Sequence, residues 1–263
     1  PRAEEPGLLP EGGRITVSTP ELPLLTVLFV MGAVFGSFLN VCIVRVPRRA
    51  SIVTPGSHCP SCKAAIPWYD NIPVLSYILL GGRCRNCKQP ISFRYVIVAL
   101  LTPALLVVLY LRFGLSLLLA VSFAFAAALV VITFIDLQHR IIPDVISIPG
   151  AFLCLALSFM LPWLEPVTSL WGVPVPPAAG RILQSLLGLL TGGGVLYLFA
   201  QGYLLLARRE GMGMGDVKLL AMIGAFLGWK GALISLMVGA FAGSVAGIMA
   251  MAIRGKNLKY AIP

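Results

Sequence analysis

The chain has 263 residues, of which 58% are hydrophobic and only 11% charged, and its mean hydropathy is +0.93. Too little polar surface remains to cover a water-soluble globule, so that class is excluded. The formal net charge of +10 is spread over several connections without the aromatic interleaving of a strand-binding groove, which argues against a nucleic-acid partner and for membrane topology as its origin.

The opening PRAEEPGLLPEGGRITVSTP has no basic-then-apolar signal pattern, and residues 1–21 read as a short polar external tail. A membrane span needs roughly 17–25 predominantly apolar residues. Runs of that kind are Leu22–Val46, Tyr95–Leu111, Leu115–Ile135, Ile142–Leu164, Ile182–Ala207 and Gly231–Ile253. Val217–Leu227 is apolar but short, which suits a short or tilted helix, or a re-entrant one buried in protein. The expected architecture is an all-α polytopic membrane protein of about seven spanning or partly spanning helices, carrying one small cytoplasmic insert at residues 47–94.

Lys and Arg accumulate in the loops left on the cytoplasmic side. With the N-terminus outside and Val217–Leu227 crossing, Arg45, Arg48, Arg49, Arg140, Arg208, Arg209, Lys218, Arg254, Lys256 and Lys259 fall inside together with the basic residues of the insert. Arg2, Arg14, Arg112, Arg181 and Lys230 stay outside. A re-entrant Val217–Leu227 reverses the assignment of Lys230 and of the C-terminal basic cluster, so the charge split favours a crossing.

The insert contains HCPSCKAAIPWYDNIPVLSYILLGGRCRNCKQPIS. Cys59, Cys62, Cys84 and Cys87 form two C-x-x-C knuckles, a spacing that lets each pair aim its sulfurs at one tetrahedral ion. A pair of disulfides is the alternative, but a cytoplasmic loop sits in a reducing compartment. Zinc is the expected ion, in a structural role, because four thiolates fill its coordination shell. Cys42 and Cys154 fall inside predicted spans and read as packing residues. His58 and His139 read as loop histidines with local hydrogen bonds.

Acidic residues are scarce, so their positions carry information. Glu4, Glu5, Glu11, Glu21 and Glu165 fall in external segments and read as solvated charge, Asp70 belongs to the insert, and Glu210 balances Arg208 and Arg209. Asp136, in VVITFIDLQHRIIPD, and Asp216, in GMGMGDVKLL, differ in that each abuts an apolar run at the cytoplasmic interface. Ionisable groups at membrane depth are costly and tend to be functional. Gly211, Gly213 and Gly215 remove side chains so that backbone can approach a neighbour or a substrate closely. Two carboxylates sharing a site do not both ionise easily, so one holds a proton while the other is ionised. The ionised one removes a proton from water as it attacks a peptide carbonyl; the protonated one donates to the developing oxyanion. Alternatively, Asp216 is a helix N-cap, Asp144 of IIPD replaces Asp136 as the partner, or the carboxylates belong to a proton-coupled transporter.

These residues resemble the type IV prepilin peptidases, of the GxGD class of membrane aspartic proteases. GSFLNVCIVRVP (Gly36–Pro47) is similar to that family's first-helix motif, and the two knuckles with PWYDNIPVLSYILLGGRC between them to its zinc domain. DLQHRIIPD and GMGMGDVKLL are similar to its two aspartate motifs. The resemblance implies cleavage of a basic leader from prepilins or pseudopilins after a glycine, on the cytoplasmic side of a bacterial inner membrane. It also implies N-methylation of the new terminus, commonly phenylalanine, with S-adenosylmethionine as donor. By motif position Asp136 and Asp216 are the catalytic pair, Gly213, Gly215 and Lys218 form the supporting loop, and Asp144 takes a position the family also fills with asparagine. Residues 95–263 then form the membrane protease core, behind a first span at 22–46. The donor-binding residues have no fingerprint in the sequence, since no glycine-rich strand-to-helix turn is present. The chain departs from the family pattern after ISFRY, where a proline and then a glutamate are expected and Val96 and Ala99 stand instead. After KYAIP the family pattern continues through a Phe-Gly-Pro segment into a final helix.

Overall fold

The computed structural model describes residues 22–59, 61–71, 73–170, 172–208 and 213–254. The predicted tail 1–21 lies outside the described residues, as do Arg209, Glu210, Gly211, Lys256 and Lys259. The helices are α1 (Leu22–Arg45), α2 (Pro73–Leu79), α3 (Arg94–Phe113), α4 (Leu117–His139), α5 (Asp144–Leu157), α6 (Pro177–Ala207) and α7 (Met214–Arg254). A two-stranded antiparallel hairpin, β1 (Ser169–Leu170) and β2 (Val173–Pro174), precedes α6. The helices α1, α3, α4, α6 and α7 are each long and apolar enough to cross a membrane, and their outward faces carry exposed Phe29, Val34, Leu198, Leu206, Met237 and Phe241. In water such a surface is unfavourable; in lipid it is the matching one.

Helix ends follow from local chemistry. Ser116 caps α4, its hydroxyl accepting from the Leu119 N–H at 3.2 Å. At the other end Arg140 turns left-handed (φ 54°) and its N–H donates to the Asp136 carbonyl at 2.8 Å, closing the last turn. Pro143 then holds the extended link (φ −72°, ψ 120°) from which α5 starts.

The run Ile142–Leu164 was expected to be one span, and here the structure corrects the sequence. α5 has 14 residues, about 21 Å of helix, and is followed by a 3-10 turn at Ser158–Met160. Leu161 and Leu164 are apolar for a different reason: they plug the core between α4, α5 and α7, with exposures of 0% and 1%. Val217–Leu227 and Gly231–Ile253 are two arms of α7, broken at Gly228 (φ 76°, ψ 176°), a left-handed conformation that favours glycine. The chain reverses there. Gly224 and Gly228 both meet Gly188 of α6, whereas Ala232 returns to the level of Gly192 and Gly224. Val217–Leu227 therefore runs the inner length of α6, with Gly188, Gly192 and Gly193 giving backbone-on-backbone contact with Gly224, Leu220 and Ala221.

A helix that stops inside an apolar core leaves carbonyls without partners. Two side chains answer this at the break. The buried Ser185 hydroxyl donates to the Ala225 carbonyl at 2.6 Å, and the Trp163 indole N–H donates to the Phe226 carbonyl at 2.7 Å. Ser185→Ala is expected to lose about 1–3 kcal/mol by orphaning that carbonyl, read as a lower melting temperature in detergent, with Trp163→Phe behaving likewise. An unchanged transition in both variants would contradict this account of the break.

α1 lies against α3 through Gly32 on Pro103 and Gly36 on Ala99, and Ala99 is fully buried there. The position at which a glutamate was expected thus serves as a helix contact in this chain. Leu39, Cys42, Ile43, Val98, Val131 and Ile135 form the core between α1, α3 and α4. Cys154 joins the second core with Ile132, Met222 and Phe226. Both membrane cysteines are packing residues, as the sequence suggested.

Candidate active site and metal centre

Asp136 and Asp216 reach one end of the bundle from different helices. Asp136 sits in the last turn of α4. Asp216 lies in the first turn of α7, two residues inside its start at Met214, with its N–H donating to the Gly213 carbonyl at 3.2 Å. It is therefore a first-turn residue and not the cap of that helix. Gly215, its neighbour in the chain, packs against Ile142, six residues after Asp136, so the two carboxylates belong to the same end of the bundle.

The neighbours explain this approach. A Cβ on Gly215 would stand 2.9 Å from that of Ile142, in the link between α4 and α5, so glycine lets the start of α7 press against the turn that follows Asp136. Lys218, one turn further along, donates to both oxygens of Asp144 at 2.7 and 2.8 Å and ties α7 to the start of α5. The ion pairs among the described residues are Arg85–Asp70, Lys218–Asp144 and Lys230–Glu165. Asp144 is thus engaged by a cation, while Asp136 and Asp216 have none among the described residues. Glu165, which reads as solvated charge, pairs with Lys230 at the opposite end. The Lys218–Asp144 pair is exposed (36% and 57%), a class worth about 0.2–1 kcal/mol. Asp144→Asn, which keeps one acceptor for Lys218, is expected to retain, within about tenfold, the leader cleavage that the resemblance implies. A complete loss measured with a prepilin substrate would return Asp144 to the list of catalytic groups.

The insert builds its knuckles twice by the same rule. In the first, the Cys59 N–H donates to Ala64 and the Lys63 N–H to the Cys59 carbonyl; in the second, the Cys84 N–H donates to Gln89 and the Lys88 N–H to the Cys84 carbonyl. Lys63 and Lys88 both turn left-handed (φ 59°). The repeat is legible as C-x-x-C-K, a longer signal than the bare cysteine spacing. The four sulfurs of Cys59, Cys62, Cys84 and Cys87 lie within 4.8 Å of one another, and all four are free thiols. An ion held tetrahedrally at about 2.3 Å sets its sulfurs roughly 3.8 Å apart, and Cys59 and Cys87 stand 3.8 Å apart. The backbone N–H of Cys62 and then that of Ser61 aim at the Cys59 sulfur and draw its thiol down to about 6, against the cost of burial. The cluster fits a metal ion, and its thiolate set is that of structural zinc.

Asp70 and Arg85 clamp the insert internally, the guanidinium donating to both carboxylate oxygens at 2.7 Å. Those hydrogen bonds hold Asp70 below the usual carboxylate range. The contribution is therefore complete at neutral pH and is lost only as pH falls through that depressed value. Arg45, at the end of α1, donates to the carbonyls of Ser51, Pro55 and Gly56 and fixes the insert's first loop to the bundle. His58 makes the local contact expected of it, Nδ1 to the Gly56 carbonyl at 3.0 Å.

Residues 30–113 match the family model described as the bacterial peptidase A24 N-terminal domain, and residues 123–248 match the type IV leader peptidase family. Among curated relatives, a prepilin leader peptidase/N-methyltransferase of Pseudomonas putida is 31% identical over 91% of this chain and 85% of its own length. This chain belongs to the type IV leader peptidase family. A relative of the same description from Neisseria gonorrhoeae is 32% identical over 88% of the chain and 84% of its own length. One from Myxococcus xanthus is 39% identical over 89% of the chain, which covers 65% of that relative's length. No solved structure matches. Asp136 and Asp216 both fall in the second matched segment, and the four cysteines in the first.

Proposed function

We infer that the chain is a prepilin leader peptidase and N-methyltransferase that uses Asp136 and Asp216 as its water-activating pair. One observation carries the peptidase reading: α4 and α7 bring Asp136 and Asp216, neither in an ion pair with a described residue, to one end of the bundle. One carboxylate takes a proton from water as the oxygen attacks the scissile carbonyl, and the other donates its proton to the oxyanion. On collapse of the adduct the C–N bond breaks as the first carboxyl gives its proton to the departing amine, and a hydroxyl of the adduct returns a proton to the second carboxylate.

The substrate of this reading is an apolar helix with a basic leader, the prepilin or pseudopilin of its relatives' names. The leader stays in the cytoplasm, the helix stays in lipid, and the bond between them lies at the interface that Asp136 and Asp216 face. The positive-inside rule supports placing this end in the cytoplasm of a bacterial inner membrane, because Arg45, Arg48, Arg49, Arg140 and Arg208 gather there.

Cys59, Cys62, Cys84 and Cys87 would hold zinc, which would fix the insert's fold in a structural role. S-adenosylmethionine would supply an electrophilic sulfonium methyl for the new amine. The chain's own part is to hold donor and amine together. Incubation of a prepilin with the purified protein tests the reading: leader release supports it, whereas ion flux into liposomes without cleavage supports a transporter.

A further inference from the structure

A cavity of about 1240 Å3 lies between the insert and the end of the bundle, above the roughly 300–1,000 Å3 of ordinary small-molecule pockets. The end of α1 and the start of α3 line one side, the insert covers another, and Gln138 and His139 close it from α4. Those last two residues share the final turn that carries Asp136, so the cavity borders the proposed cleavage site.

Two residues lining it hold buried polar atoms that no hydrogen bond satisfies, Asn40 Oδ1 and Arg94 Nε. Asn40 is 4% exposed. Its amide orientation is fixed, because Nδ2 donates to the Gly36 carbonyl at 3.2 Å and to the Tyr95 carbonyl at 3.1 Å, which leaves Oδ1 as an acceptor. Arg94 lies over the Tyr95 ring at 5.0 Å and offers Nε–H as a donor. An unsatisfied buried polar atom is costly and calls for a partner. Asn40 donates to the carbonyl of Tyr95, the residue next to Arg94, so one partner that serves both presents an N–H donor to Asn40 and an anionic acceptor to Arg94. An α-amino acid zwitterion has that pattern.

We propose that Asn40 and Arg94 bind the amino-acid end of S-adenosylmethionine in this cavity, Asn40 Oδ1 accepting from its α-ammonium and Arg94 donating to its α-carboxylate. The proposal rests on the methyltransferase reading. The remaining volume takes the adenosyl group, with the sulfonium methyl toward the α4 side, where the new amine appears. The insert is then the cover of the donor site, which gives its metal a place in methyl transfer without touching the reacting atoms.

The test uses the purified zinc-loaded protein in detergent and two probes: S-adenosylhomocysteine, which carries the amino-acid end, and 5′-methylthioadenosine, which lacks it. Calorimetric titration is expected to show tighter binding of the first by wild type. Arg94→Met and Asn40→Leu are expected to weaken S-adenosylhomocysteine about tenfold or more while leaving methylthioadenosine unchanged. Because Asn40 also ties α1 to α3, Arg94→Met carries the decision if Asn40→Leu fails to fold. A wild type that methylates a cleaved pilin, beside an Arg94→Met variant that binds S-adenosylhomocysteine normally or loses both probes equally, overturns the proposal alone. Loss of binding to phosphatidylethanolamine vesicles assigns the two atoms to a lipid headgroup and likewise overturns it. A wild type without methyl transfer removes the underlying reading, and the proposal with it.

Discussion

Asp136→Asn and Asp216→Asn are each expected to lower leader cleavage by about 10²–10⁴-fold, the range contributed by a positioned acid or base. Asparagine preserves the size of the side chain and removes its capacity to exchange a proton. Asp136 ends α4 and Asp216 opens α7, so neither substitution enters the packed cores around Ile135 and Met222. If the two act as one unit, the double variant is no worse than the poorer single one. Single-turnover cleavage of a prepilin measures all three. Losses that multiply instead of saturating would mean that the carboxylates work independently, and a fully active single variant would remove that residue from the site.

The second large effect is expected at the metal. Cys59→Ser or Cys84→Ser removes one of four converging sulfurs, and metal binding in such sites is inseparable from folding of the surrounding chain. Zinc content, read by mass spectrometry, is expected to fall from one ion per chain toward none. The two knuckles and the Asp70–Arg85 clamp are the main internal ties of the insert, so their loss uncovers the cavity beside α1 and α3. Methylation is therefore expected to fall at least about tenfold, a loss typical even of outer-shell changes at metal sites. Cleavage falls less, because Asp136 and Asp216 stand on membrane helices. Unchanged methylation in a zinc-free protein would break the link between the insert and methyl transfer.

How much of this was legible in the sequence depended on whether the signal was local. The spans α1, α3, α4 and α6 were readable because apolar runs announce lipid-facing helices. The knuckles were readable because ligand spacing is local. The length of α5 was not: Leu161 and Leu164 are as apolar as a membrane helix, but they plug a core, and composition alone does not separate those environments. The reversal of α7 at Gly228 was readable only as a gap between two runs, since it depends on Ser185 and Trp163 reaching its carbonyls from elsewhere in the chain. At the candidate site, the scarcity of acids pointed to Asp136 and Asp216 and left Asp144 as a competitor, which motif position set aside; its ion pair with Lys218 exists only in the folded chain. Asn40 and Arg94 lie in the quoted GSFLN and ISFRY stretches, but what they share, a buried atom without a partner, exists only after α1 and α3 have packed.

The most direct test of the central claim is mass spectrometry of a prepilin incubated with the purified, zinc-loaded protein, with and without S-adenosylmethionine, beside Asp216→Asn. The account predicts loss of the leader mass with wild type alone, and a further methyl mass only when the donor is present. Leader loss that persists in Asp216→Asn, or no cleavage by a folded and zinc-loaded wild type, would contradict it.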